Sequence, residues 1–186
     1  MGAFLQSSIA DKKIAIFIDL VNINESLQNI DIGLTLDFDT ILERIQESGH
    51  LIIGKCYMKM YSKNEYESMR LDGFLNKLSS LNIEPVFCPY TDHKSLSDPM
   101  LITDAMECLC EKSFIDTFIL VTSDKDVTPL MQKIIGKGKD CIILGIESNT
   151  SPYLIKQIEI LGGHFEEVVD NFTRTKVRPI YHEVNR

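Results

Sequence analysis

An α/β fold, with a mostly parallel central sheet flanked by helices, is what this chain of 186 residues predicts. Two observations carry the expectation. Short apolar, β-branched runs alternate with longer amphipathic stretches, the pattern of βαβ units around a parallel sheet. Acidic residues collect where those runs end or the next helix begins, at Asp19, Asp98, Asp104, Asp124 and Asp126. Strand ends are where open α/β sheets bind their ligands.

The first strand is Ile14 to Asp19, wholly apolar until its final carboxylate. Phe38 to Glu47 has helical spacing at Ile41, Leu42 and Ile45 and stops before Ser48-Gly49. A strand from Leu51 to Tyr61 leads to a longer helix, Asn64 to Leu81, with Met69, Leu71, Phe74, Leu75 and Leu78 apolar. Asn64 and Glu67 fit a capped start for it. After a strand from Glu84 to Cys88, the polar segment Pro89 to Ser97 reads as a loop over the strand ends. Pro99 suits the first turn of a helix running to about Lys112, with Asp98 or Ser97 at its N-cap. Thr117 to Thr122 is the next strand. Asp126 precedes a helix from Val127 to Ile135 that Gly136 and Gly138 terminate. A strand from Cys141 to Gly145, a helix from Pro152 to Leu161 capped by Ser151, and a strand from Phe165 to Val168 complete the pattern. Residues 12–170 thus read as one domain, and 171–186 as a basic, partly ordered tail.

Composition narrows the function classes. With 44% apolar residues the chain can bury one full core. Its apolar runs are too short to cross a bilayer and Met1 to Ala10 lacks a signal pattern, so we expect a cytoplasmic protein without membrane contact. The five cysteines, Cys56, Cys88, Cys108, Cys110 and Cys141, follow no framework or zinc spacing and read as free thiols. A net charge of −8 argues against binding nucleic acid by bulk attraction. It leaves room for local basic surfaces: Lys55, Lys59 and Lys63 with Arg70 and Lys77; Lys133, Lys137 and Lys139; and Arg174, Lys176 and Arg178. For most of these, the solvated face of an ordinary element is sufficient explanation.

Carboxylates gathered from distant parts of a chain repel, and a bound cation offsets the repulsion. Hard oxygen ligands suit Mg²⁺ or Mn²⁺. Asp19 either projects into such a site at the sheet edge or caps a following helix, and Asn22 either orients a water or phosphate or makes a turn. Asp124 and Asp126, close together after a buried strand, favour a cation more strongly. Asp98 is also what a helix start without chemistry looks like. Asp104 lies about 240° around the helix from it at roughly 100° per residue, so the two do not share a face. We assign Asp98 to the site, where a helix N-terminus adds donors for phosphate, and Asp104 to a supporting role.

The segments Ile16-Phe17-Ile18-Asp19-Leu20-Val21-Asn22, Lys94 through Asp98 to Asp104, and Leu120-Val121-Thr122-Ser123-Asp124-Lys125-Asp126-Val127-Thr128-Pro129-Leu130 together resemble the NYN domain, including its LabA-like bacterial branch. The resemblance covers roughly residues 12 to 170. It implies a PIN-like, Rossmann-like three-layer fold and metal-dependent hydrolysis of RNA phosphodiester bonds, with possible homodimerisation. By position, it implies Asp19, Asp98, Asp124 and Asp126 as metal and water-activating carboxylates for Mg²⁺ or Mn²⁺, Asn22 and Ser123 as polar pocket groups, and Lys94 as a phosphate contact.

Three departures bear on catalysis. Leu20 and Ser123 stand where the family commonly has glycine, Val127 stands where it often has phenylalanine, and Lys125 is placed to pair with a flanking aspartate. A module that binds RNA or a protein without cutting is therefore the alternative. A phosphoacceptor signalling domain lacks its early acidic pair here, because Ile14 to Ile18 is wholly apolar. An aspartate-nucleophile phosphatase would need an acid where Val21 stands. Tyr61, Tyr66 and Tyr90 are candidates for base stacking or for covering the core edge.

Overall fold

The computed structural model describes residues 12–31, 33–59, 65–91 and 94–175. Its elements are β1 (Lys12–Asp19), α1 (Leu20–Ile30), β2 (Leu34–Leu36), α2 (Phe38–Ser48), β3 (Gly49–Lys59), α3 (Glu65–Ser80), β4 (Glu84–Cys88), β5 (Tyr90–Thr91), β6 (Lys94–Ser95), α4 (Ser97–Glu111), β7 (Thr117–Val121), α5 (Thr128–Gly136), β8 (Asp140–Gly145), α6 (Pro152–Ile160), β9 (His164–Glu167), α7 (Val168–Asn171) and β10 (Thr173–Thr175).

Six strands form the central sheet in the order β4-β3-β1-β7-β8-β9, and every neighbouring pair in it is parallel. A parallel strand covered on both faces reads as a continuous apolar run. Ile14 through Ile18 are accordingly all 0% exposed. Because successive side chains alternate, Ile14, Ile16 and Ile18 join the core beneath α1, α2 and α3, with Ile119 and Val121 of β7 beside them. Ala15 and Phe17 join the opposite core with Phe118 and Leu120, beneath α4, α5 and α6. Phe17 and Phe118 stack there with ring centroids 6.3 Å apart. The three-layer α/β fold with a parallel central sheet flanked by helices, expected from the sequence, is the one formed.

The topology sets the site. From β1 the chain goes to β3 and β4 on one side, then crosses by α4 to β7 on the other. The strand order reverses between β1 and β7, so their carboxyl ends form the switch point at which open α/β sheets bind ligands. Asp19 ends β1, and Thr122 to Asp126 follow β7.

Several expectations are corrected. The helix expected from Pro99 begins at Ser97 with Leu96 as N-cap, so Ser97 and Asp98 lie in its first turn. Ser95 Oγ accepts from the Ser97 N–H at 3.2 Å instead. The supposed loop from Pro89 contains the antiparallel pair β5–β6, with Tyr90 opposite Ser95 and Thr91 opposite Lys94. Two residues per strand are too few to show a period-2 pattern. The segment from Leu20 to Ile30, which contains Leu20, Ile23 and Leu27 on one buried face, is a full helix. Within the segment from 171 onward, expected to be partly ordered, β10 pairs antiparallel with β2, Arg174 opposite Thr35, and Phe172 is buried. The cap at Asn64, the side chains of Tyr66, Glu67, Arg70, Tyr90 and Lys94, and Tyr61, Lys63, Lys176 and Arg178 lie outside the described residues.

The remaining basic groups mostly serve the fold. Lys55 pairs with Asp104 and Lys59 with Glu25, both at 2.7 Å, Lys77 pairs with Asp39, and Lys139 Nζ donates to the Ser113 carbonyl at 2.6 Å. All five cysteines are free, four buried and Cys110 exposed. No helix among the described residues is long and apolar enough to cross a membrane.

Candidate active site

Asp19 is the fixed point of the crevice. It is 0% exposed, and an isolated carboxylate there would be costly without hydrogen bonds. Oδ1 accepts from the Asn22 N–H at 3.0 Å, which caps α1. Oδ2 accepts from Ser97 Oγ at 3.1 Å. Asp19 thus serves as the cap of α1, and its second oxygen is tied to α4 through Ser97. Ser97 is the group the sequence reading treated only as a cap. Its hydroxyl is spent on Asp19 rather than on its own helix, and no local pattern reveals that.

Asn22 ties the first acidic loop to the second. Its Oδ1 accepts from the Ser123 N–H at 2.9 Å and from Thr122 Oγ1 at 3.4 Å. Thr122 Oγ1 in turn accepts from the Asp124 N–H at 3.1 Å, and Asp124 Oδ1 from the Asp126 N–H at 2.9 Å. The turn carrying both aspartates is therefore shaped by a chain of hydrogen bonds beginning at Asn22. Ser123, expected as a pocket group, has its Oγ accepting from the Ile146 N–H at 2.8 Å and is 5% exposed, so it braces β7 against β8. Gly145 permits that closeness: a Cβ there would stand 3.0 Å from the Thr122 carbonyl oxygen.

Asp98 completes the group. Burial, a hydrogen bond shared with Asp19, and the charges of Asp19, Asp124 and Asp126 push its carboxyl up to about 8. Asp98 therefore feels the negative charge of all three, Asp19 most strongly. Asp98 Oδ1 is buried without a hydrogen-bond partner, and an orphaned buried oxygen amid like charges is what a cation relieves. Among the described residues, no three His, Cys, Asp or Glu side chains already stand at the spacing of an ion's ligands. Mutual repulsion works against such closeness. In chemistry the donor set, all carboxylate oxygen, fits Mg²⁺ or Mn²⁺.

Asp104 stays apart from this group. Its Oδ2 accepts from Lys55 Nζ at 2.7 Å and from the Tyr57 hydroxyl at 2.8 Å, anchoring α4 to β3. Burial first, then that hydrogen bond, hold the Tyr57 hydroxyl protonated far above its ordinary range. Lys125 is exposed and makes no ion pair with either neighbouring aspartate. Leu20 turns into the core at 8% exposure. Lys94 lies on β6, on the hairpin that leads into α4.

Comparison with known proteins agrees with this architecture. The model of the NYN domain matches residues 13–160. An uncharacterized protein of Methanocaldococcus jannaschii, MJ0482, is 29% identical over 154 residues. The match takes in 78% of this chain and 55% of that relative, so the chain spans only about half of the relative's length. A crystal structure of a protein of unknown function from Vibrio parahaemolyticus, VPA0982, superposes with a TM-score of 0.73 at 22% identity, covering 91% of this chain and all of the other. That likeness concerns the fold.

Proposed function

We propose, since this chain belongs to the NYN domain family, that its acidic crevice hydrolyses RNA phosphodiester bonds with Mg²⁺ or Mn²⁺. The observation that carries the reading is Asp98: a buried, unpartnered carboxylate oxygen within the electrostatic reach of Asp19, Asp124 and Asp126 at the sheet's switch point. Repulsion of that kind costs stability, and proteins accept such costs where function needs them.

Asp19, Asp98 and Asp124 would hold the cation, and Asp126 at the exposed rim would complete its shell or take up a proton. When bound, the cation supplies a water of lowered pKa and offsets charge on the leaving oxygen. The protein's own residues do the positioning. Ser97 and the Asn22 N–H fix both oxygens of Asp19, and Asn22 fixes the turn that aims Asp124 and Asp126. Asp126, exposed and in no ion pair among the described residues, would accept the proton of an attacking water. Lys94 is the group we assign to a substrate phosphate.

The test is incubation of labelled single-stranded and hairpin RNAs with Mg²⁺, Mn²⁺ or EDTA. Cation-dependent products support the reading. An inert protein with every RNA and cation would instead favour a binding module built on a disused site.

A further inference from the structure

Beside the aspartate pair lies an open pocket of about 490 Å³ lined by Lys125, Asp126, Thr128, Pro129, Gln132 and Tyr153. We propose that it is a nucleobase subsite that selects single-stranded RNA, a proposal that rests on the ribonuclease reading and specifies its substrate. Asp126 belongs to both the pocket and the acidic cluster, so a base held here lies next to the phosphate that the cluster would act on.

Each wall suits a nucleotide. Tyr153 is 56% exposed yet held on a rigid element: its N–H donates to the Ser151 cap at 3.3 Å, and Leu154 and Ile158 root α6 in the core. A phenol ring exposed on such an element offers a face on which any base can stack. Pro129 adds an apolar wall. The exposed Gln132 amide can both donate to and accept from a base edge. Lys125 is exposed and without an ion pair among the described residues, and Thr128 Oγ1 holds its backbone carbonyl at 2.5 Å, so its charge is available to a phosphate.

An exposed tyrosine alone would be ordinary. Its grouping with a lysine and an amide around a hollow that includes Asp126 is what points to a ligand. Duplex RNA keeps its bases stacked and shows proteins mainly its backbone and minor groove, whereas single strands can splay a base onto an aromatic ring. With a net charge of −8, long-range attraction is weak, and affinity falls to short-range contacts of this kind.

The test is fluorescence anisotropy of the full chain with a labelled ten-nucleotide single strand and a labelled hairpin closed by a short, structured loop without splayed bases, in EDTA and again in Ca²⁺. The proposal expects Tyr153→Ala to weaken single-strand binding about tenfold or more, Tyr153→Phe to restore it, and hairpin binding to stay weak throughout. Tyr153→Trp gives the chain its single tryptophan, whose emission should be quenched by the single strand and not by the hairpin. Unchanged binding by Tyr153→Ala, absence of quenching, a preference for the hairpin, or no RNA binding under either condition overturns the subsite. Failure here separates from failure of the nuclease reading. Cleavage with binding that ignores Tyr153 removes only the subsite, whereas binding that needs Tyr153 without cleavage removes only the chemistry.

Discussion

Asn22 Oδ1 accepts a hydrogen bond from the Ser123 N–H at 2.9 Å, across 101 residues of sequence. That bond latches the loop after β1 to the loop after β7 and so sets the distance between Asp19 and the Asp124–Asp126 turn. Asn22→Ala would leave the buried Ser123 N–H without an acceptor. The expected cost is about 1–3 kcal/mol of stability, read from urea unfolding, together with weaker Mn²⁺ binding. Unchanged stability and Mn²⁺ affinity would remove the latch from the account.

Asp98 gives the protein a pH dependence of predictable sign. Its carboxyl is raised to about 8 in the fold from an ordinary value of 3.8, so between those values the native state holds a proton that the unfolded chain releases. Stability from this pair therefore falls as pH rises through that window. Asp98→Asn should match wild type near pH 4 and become progressively more stable than it towards pH 8, measured as urea midpoints. A divalent cation competes for the same oxygens, so wild-type Mn²⁺ affinity should rise by up to about tenfold per pH unit over the upper part of the window. A pH-independent affinity would separate Asp98 from the cation.

Asp104 should prove a structural anchor. Asp104→Ala strands Lys55 and the buried Tyr57 hydroxyl together, and a loss of about 3–5 kcal/mol is expected. Tyr57→Phe removes only one neutral donor and should cost about 0.5–1.5 kcal/mol. Comparable losses for both variants would contradict the assignment.

The cysteines make a simple check on the packing. Burial raises the Cys141 thiol to about 12, and burial followed by the charge of Asp19 raises Cys88 to about 11, so neither forms thiolate near neutral pH. A thiol reagent should modify Cys110 rapidly in the native protein and the four buried thiols only on unfolding. Rapid labelling of Cys56 or Cys88 would mean that the sheet around β3 and β4 opens far more readily than the structure implies.

The fold was largely legible because its signals are local. The apolar run of β1 and β7, and the glycines after α5 and α6, mark a buried parallel sheet without knowledge of its partners. The acidic residues were legible for the same reason, since each ends an apolar run or starts a helix. Relationships between distant segments were not. Nothing near Ser97 indicates that its hydroxyl serves Asp19, and nothing near Ser123 indicates that its oxygen turns to Ile146. The short strands β2, β5, β6 and β10 are held by backbone pairing, which leaves little trace in side-chain pattern. The exposure of Tyr153 is not legible in the sequence, because a helical tyrosine shows it only once the other face is packed.

The most direct measurement is single-turnover cleavage of a labelled single-stranded RNA in Mn²⁺ by wild type, Asp19→Asn and Asp124→Asn, with folding of each checked by circular dichroism. The account predicts Mn²⁺-dependent cleavage by wild type, abolished by EDTA and reduced at least about a hundredfold in both variants. Cleavage that persists in either folded variant, or that ignores EDTA, would contradict it.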